Sequence, residues 1–302
     1  MTNSSGQPRR PVIVGLGELL WDIKPHGRYV GGAPANFAYH ANQFDADGVV
    51  VSCVGRDADG AEIMERLAER GMTTDFVRYD ECHSTGTATV EMDDAGHHAF
   101  IIHTGVAWDY LPFDSELEAL ACQADAVCFG TLAQRGELSR KSIRAFLKRT
   151  RRDCLRVFDI NMRQEYYDFD SITRSLAVAD VLKLNDEEMP KLTALLGLSR
   201  FESEAVPNLM HRFGLRMVAL TRGENGSVLY TKHRLSENRG VAPDALVDTV
   251  GAGDAFTAAL VCGLLRYEDL DRLHERASRL AGFVCSQPGA TPDTHAFLSL
   301  LA

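Results

Sequence analysis

The chain has no excess of positive charge. Its 302 residues carry 32 Lys and Arg against 42 Asp and Glu, a net charge of −10. The basic face used by nucleic-acid and membrane-surface binders is therefore not expected. No apolar run approaches the roughly 18 residues of a membrane span. The start, MTNSSGQPRR, is polar, reads as disordered and leads into no apolar segment, so no secretory leader is expected. The seven cysteines include no CxxC pair. They lie mostly in apolar runs such as VVVSCV and AVCF, which predicts reduced, near-core thiols in a cytoplasmic protein and no zinc site. Internal repeats, low-complexity tracts and linkers are missing, and so is a P-loop of the form GxxxxGKS/T.

What is there is an ordinary globular composition, 45% hydrophobic and 25% charged. Short β-branched runs alternate with amphipathic segments. Strands are predicted at 11–15, 49–54, 126–130, 155–160, 179–184, 216–221 and 226–231. Helices are predicted at 33–44, 58–70, 114–123, 138–151, 185–196 and 203–213, and near 251–266, 269–285 and 293–301. This alternation implies an α/β fold with a mostly parallel sheet and helices on both faces. One region breaks the rhythm: STGTATVEMDDAGHHAFIIH (84–103) reads as a hairpin turning at DDAG, and 18–30 is also extended. A single domain, 1–302, is expected, with a small β-appendage from about 16–32 and 84–108 that could act as a lid.

The strongest local signal is DTVGAGDAF (248–256). An extended segment ends at Val247, small residues follow, and an apolar helix begins. Such a helix start leaves backbone N–H groups free and adds positive potential, which suits a phosphate or an oxyanion. A carboxylate in the first turn, Asp254, can take a proton from an attacking hydroxyl. Close helix packing and ordinary capping explain the same residues equally well. On the residues alone, both stay open.

DTVGAGDAF closely resembles the C-terminal signature of the PfkB/ribokinase family of carbohydrate kinases, and VGGAPANFAYH (30–40) resembles the family's N-terminal signature in its fructokinase-like form. The order and separation of the two fit as well. The resemblance implies a ribokinase-like three-layer fold with a β-sheet lid. It also implies transfer of the γ-phosphate of ATP to a sugar hydroxyl. It makes Asp254 the base, with Gly251, Ala252 and Gly253 as the anion hole.

Further segments extend the likeness. In LKLNDEE, Asn185 and Glu188 match the motif that organises Mg²⁺ and its waters; a capping box explains the same pair. Lys183 in that run, with Thr221, Gly223 and Gly226 of TRGENGS, is placed at the nucleotide. TRGENGS also reads as a plain hairpin turn. GLGELLWD gives Asp22 as a sugar ligand, with Gly31, Gly32 and Asn36. FDINMRQEYY gives Asp159, Asn161 and Arg163, the latter two near acceptor or phosphates. Ile160 and Tyr166-Tyr167 depart from the fructokinase pattern there. Asp248 and Thr249, with Gly289 and Ala290 of VCSQPGAT, match a monovalent-cation loop, so K⁺ is implied. The resemblance further suggests a homodimer joined through the β-appendage.

Fructose is the expected acceptor. Ribose, 2-keto-3-deoxygluconate and a nucleoside are the alternatives, and a phosphosugar would draw on Arg28, Arg135 or Arg163. Two readings of other classes compete: a non-catalytic sugar-binding regulator on the same fold, and a nicotinamide oxidoreductase suggested only by GLGELL, an incomplete dinucleotide loop.

Overall fold

The computed structural model describes residues 9–92, 98–241 and 245–300. In chain order the elements are β1 (Val12–Leu16), β2 (Leu20–Lys24), β3 (Gly27–Gly31), α1 (Ala33–Asn42), β4 (Asp47–Gly55), α2 (Ala58–Glu69), β5 (Val77–Asp80), β6 (Gly86–Met92), β7 (His98–Ile102), α3 (Ser115–Gln123), β8 (Ala126–Phe129), α4 (Glu137–Arg149), β9 (Leu155–Asp159), α5 (Phe169–Val178), β10 (Val181–Asn185), α6 (Glu188–Leu196), α7 (Glu202–Phe213), β11 (Met217–Thr221), β12 (Ser227–Thr231), β13 (Leu235–Asn238), α8 (Ala252–Leu265), α9 (Leu270–Cys285) and α10 (His295–Ser299).

Nine strands form one sheet in the order β13-β12-β11-β10-β9-β8-β1-β4-β5. It is parallel from β11 to β5, and only β12 and β13 run antiparallel. The central strands are apolar throughout because both faces are covered. Along β8, Val127 and Phe129 enter one core while Ala126 and Cys128 enter the other. Helix α8 belongs to the second core and is buried from Ala255 to Gly263, which is why AFTAALVCG has no polar side. The crevice at the carboxyl ends of the parallel strands is where such sheets take ligands.

A second sheet has the order β3-β2-β6-β7. It joins the extended 18–30 region to the predicted hairpin, with Met92 paired to His98 across the turn. The turn at DDAG itself lies outside the described residues. The appendage is shorter than expected: Leu16 ends β1 of the large sheet, and the chain beyond Ile102 leaves the small one.

Several expectations need correction. Arg9 and Arg10, read with the polar start as disordered, are pinned, Arg9 to Asp125 at 2.7 Å and Arg10 to the Ala46 carbonyl at 2.6 Å. Residues 245–249, which lead into α8, are irregular and form no strand. Helix α5 and strands β5 and β13 were not expected. The seven cysteines are all free; Cys53, Cys128, Cys154 and Cys262 are buried, but Cys82 and Cys122 are exposed. Among the described residues no helix is long and apolar enough to cross a membrane.

Candidate active site

Helix α8 starts at the crevice. Its N-cap, Gly251, has φ +81°, and a Cβ there would come within 2.5 Å of the Ala290 carbonyl oxygen. Only glycine fits both demands. The turn leaves the amides of Gly253 and Asp254 without partners inside the helix. Asp254, third in α8, accepts a 2.9 Å hydrogen bond from Asn36 Nδ2 on α1. Burial, then the Asp159 carboxylate, push its pKa up to about 7, against the pull of Asn36, Lys183 and Arg163. The two signatures thus meet at one carboxyl, though 218 residues separate them.

Asp22 comes from β2 of the small sheet. Gly31 on β3 pairs with Leu20, diagonal to Asp22, and a Cβ on Gly31 would fall 2.2 Å from Asp22 Oδ2. Burial raises the Asp22 pKa to about 6, opposed by Lys24 and Arg163 and reinforced by Asp248. Gly32 caps α1 with φ +110°. Arg163 is exposed, donates to Asn161 Oδ1 at 3.3 Å, and acts on Glu18, Asp22 and Asp254 through its charge. Asn161 has φ +42°. It is held there by Thr131, whose hydroxyl donates to the Ile160 and Asn161 carbonyls at 2.7 and 2.9 Å. Thr131 was not anticipated; a lone Thr after a strand gives no signal.

Lys183 and Asp159 form a buried pair at 3.1 Å, and Asp159 also accepts from Thr257. The ammonium lies 3.1 Å from where a Gly253 Cβ would stand. Burial lowers the Lys183 pKa, but Asp159, Glu188 and Asp254 together raise it above its ordinary value. Lys183 is therefore a fixed positive charge beneath the α8 turn, paired with Asp159.

Asn185 and Glu188 form a reciprocal cap. Asn185 Oδ1 accepts from the Glu188 amide at 2.8 Å, and Glu188 Oε2 accepts from the Asn185 amide at 2.9 Å. Glu188 Oε1 accepts from the Met162 amide at 2.9 Å, tying α6 to the Asn161 loop. Each Glu188 carboxylate oxygen thus accepts from a backbone amide.

Thr221 is level with Asn185 in the β10–β11 register. Gly223 and Gly226 build the β11–β12 turn, where Gly226 has φ +89° and lies against the Asn238 carbonyl. The hairpin accounts for both. Asp248 accepts from Lys24 Nζ at 3.1 Å, across from the small sheet. The Ala290 carbonyl accepts from His40 at 2.9 Å, whose ring burial holds at a pKa of about 4 and hence neutral. Thr249 is exposed, and Gly289 has open space around it. Asp248 and the Ala290 carbonyl are thus each engaged by the chain's own groups. Arg28 pairs with Asp59 and Glu62 on α2, and Arg135 with Asp109 at 2.8 Å, so of the three arginines only Arg163 overlooks the carboxyls.

Residues 17–296 match the model of the pfkB family of carbohydrate kinases. The chain belongs to that family. A fructokinase of Klebsiella pneumoniae is 30% identical over 278 residues, covering 88% of this chain and 88% of its own. A solved sugar kinase of Pyrococcus horikoshii is 25% identical with a TM-score of 0.80, covering 96% of this chain and all of its own. A fructokinase of Xylella fastidiosa, solved with ATP, shares the fold at a TM-score of 0.80 and 22% identity, over 96% of this chain and 98% of its own. As a PfkB-family kinase the chain is a phosphotransferase with a sugar acceptor. The oxidoreductase reading falls: β1 leads into β2, not into a helix, so GLGELL builds no dinucleotide turn.

Proposed function

We propose that this chain transfers the γ-phosphate of ATP to a hydroxyl of fructose, with Asp254 as general base. The observation that carries this is the half-buried Asp254 carboxyl, its pKa pushed up to about 7, beside the free amides of the α8 turn. A carboxylate near neutral pKa takes a proton from an alcohol better than an ordinary aspartate does. The amides of Gly253 and Asp254, with Lys183 beneath, supply positive potential where charge develops on the transferred phosphoryl group. Asp22, Asn36 and Asn161 present acceptors and donors to a polyol, and Arg163 stands over them. Mg²⁺, when bound with the nucleotide, neutralises phosphate charge; Asn185 and Glu188 would orient its waters. The nucleotide would approach by the Thr221 and Gly223 turn, and the small sheet would close over the acceptor as a lid.

Fructose is favoured by the 30% identical fructokinase. A carboxylated or phosphorylated acceptor finds only Arg163 unpaired with a carboxylate among the three arginines. ADP release measured with ATP and Mg²⁺ over a panel of fructose, ribose, 2-keto-3-deoxygluconate and nucleosides tests the assignment. Turnover highest with fructose supports it, and a preference for another acceptor replaces it. Potassium activation and a dimer through the small sheet complete the proposal; activity in KCl against choline chloride, and mass in solution, test them.

A further inference from the structure

Glu18 follows β1 into the crevice, and none of the roles above uses it. The residue is 5% exposed, and its Oε2 atom is buried with no hydrogen-bond partner among the described residues. Buried polar atoms are nearly always partnered, so an orphan beside a reaction centre calls for a ligand or a water. Glu18 lines a cavity of about 10 Å³ whose other polar walls are Asp159, Asn161 and Asp254, with Phe37 and Phe129 among its apolar ones. That is close to the space one water-sized oxygen needs, and the site offers it several polar partners. Burial raises the Glu18 pKa, while the amides of Glu18 and Ala33 and the charges of Arg163 and Arg135 oppose the rise. A carboxyl in its neutral form donates one hydrogen bond and accepts others, where Asp254 as base only accepts.

Resting on the kinase reading above, we propose that Glu18 is a positioning residue of the acceptor site: a single buried oxygen, from water or from an acceptor hydroxyl, bridges its Oε2 to Asp254 and fixes the aim of the base. Glu18 therefore matters to turnover through its Oε2 atom, while the carboxyl also accepts from the Glu18 and Ala33 amides. Leucine loses the bridge and leaves those amides without their acceptor, whereas glutamine keeps an acceptor and a bridging group.

Two measurements test this. The first is a high-resolution crystal structure without sugar and with D-fructose. An oxygen within hydrogen-bond distance of both Glu18 Oε2 and Asp254 is expected. Density in both crystals marks a water; density continuous with the sugar marks an acceptor hydroxyl. No such oxygen in either crystal overturns the proposal. The second compares Glu18→Leu with Glu18→Gln. The leucine variant should lose about tenfold or more in kcat/KM for the acceptor, with KM for ATP unchanged. Glutamine, which can still bridge, should recover most of the loss. Unchanged acceptor kinetics in the leucine variant, or a glutamine variant as impaired as the leucine one, refutes it. Should no sugar be turned over by the wild type, the kinase reading fails while the density still judges the bridge.

Discussion

Asp254 is a carboxyl that folding makes expensive to ionise, and its reactivity follows from that. As the base it must be unprotonated, so kcat/KM should fall as pH drops through about 7. Replacing Asp254 by Asn should cost roughly a thousandfold or more in turnover, as judged by ADP release. The sign for stability is opposite. A carboxyl whose folded pKa lies above its ordinary 3.8 stabilises the fold fully below that value, and the contribution disappears as pH rises through about 7. Asp254→Asn should therefore melt higher than wild type at pH 8, by between about 1 and 4 kcal/mol, and the gap should narrow at pH 5. The Asn36 amide holds the Asp254 pKa down. Asn36→Leu should then move the acid limb of the rate profile to higher pH, and an unmoved limb would contradict the contact.

At the scale of elements, the start of α8 is a demanding piece of backbone. Gly251→Ala would put a Cβ 2.5 Å from the Ala290 carbonyl at φ +81°. A stability loss of about 2 kcal/mol or more is expected, with loss of turnover, read by denaturant melts and ADP release. Apolar elements such as α8 and β8 were legible because burial on all sides leaves few polar positions to confuse the pattern. Helix α5 was missed because its start is signalled only by the Asp168 and Ser171 cap amid aromatic and acidic residues. β5 and β13 are edge strands of four residues with little apolar content. In the site, the two signatures marked Asp254 and Asn36, but no spacing could show that they touch. Lys183 was marked as a nucleotide residue; its pairing with Asp159 could not be read from the sequence. Glu18 carried no signal of its own; the fold shows its Oε2 buried with no hydrogen-bond partner among the described residues.

At the scale of the whole molecule, the Lys24–Asp248 pair bridges the small sheet and the chain leading into α8. The resemblance that assigned Asp248 to a monovalent cation meets a lysine ammonium there. Lys24→Met should free that carboxylate and make turnover more dependent on KCl than in the wild type. Equal dependence in both would show that Lys24 plays no such part. Each sheet would bring one half of the proposed acceptor site: Asp22 from the small one, Asp254 and Asn161 from the crevice of the large one.

The most direct test of the central claim is ADP release with ATP, Mg²⁺ and fructose, by wild type and Asp254→Asn, from pH 5 to 9. Asp254 as base predicts wild-type kcat/KM falling on the acid side with a midpoint near 7, and a variant without measurable turnover that is still folded. A folded variant that keeps wild-type turnover, or a wild-type profile flat across that range, would contradict it.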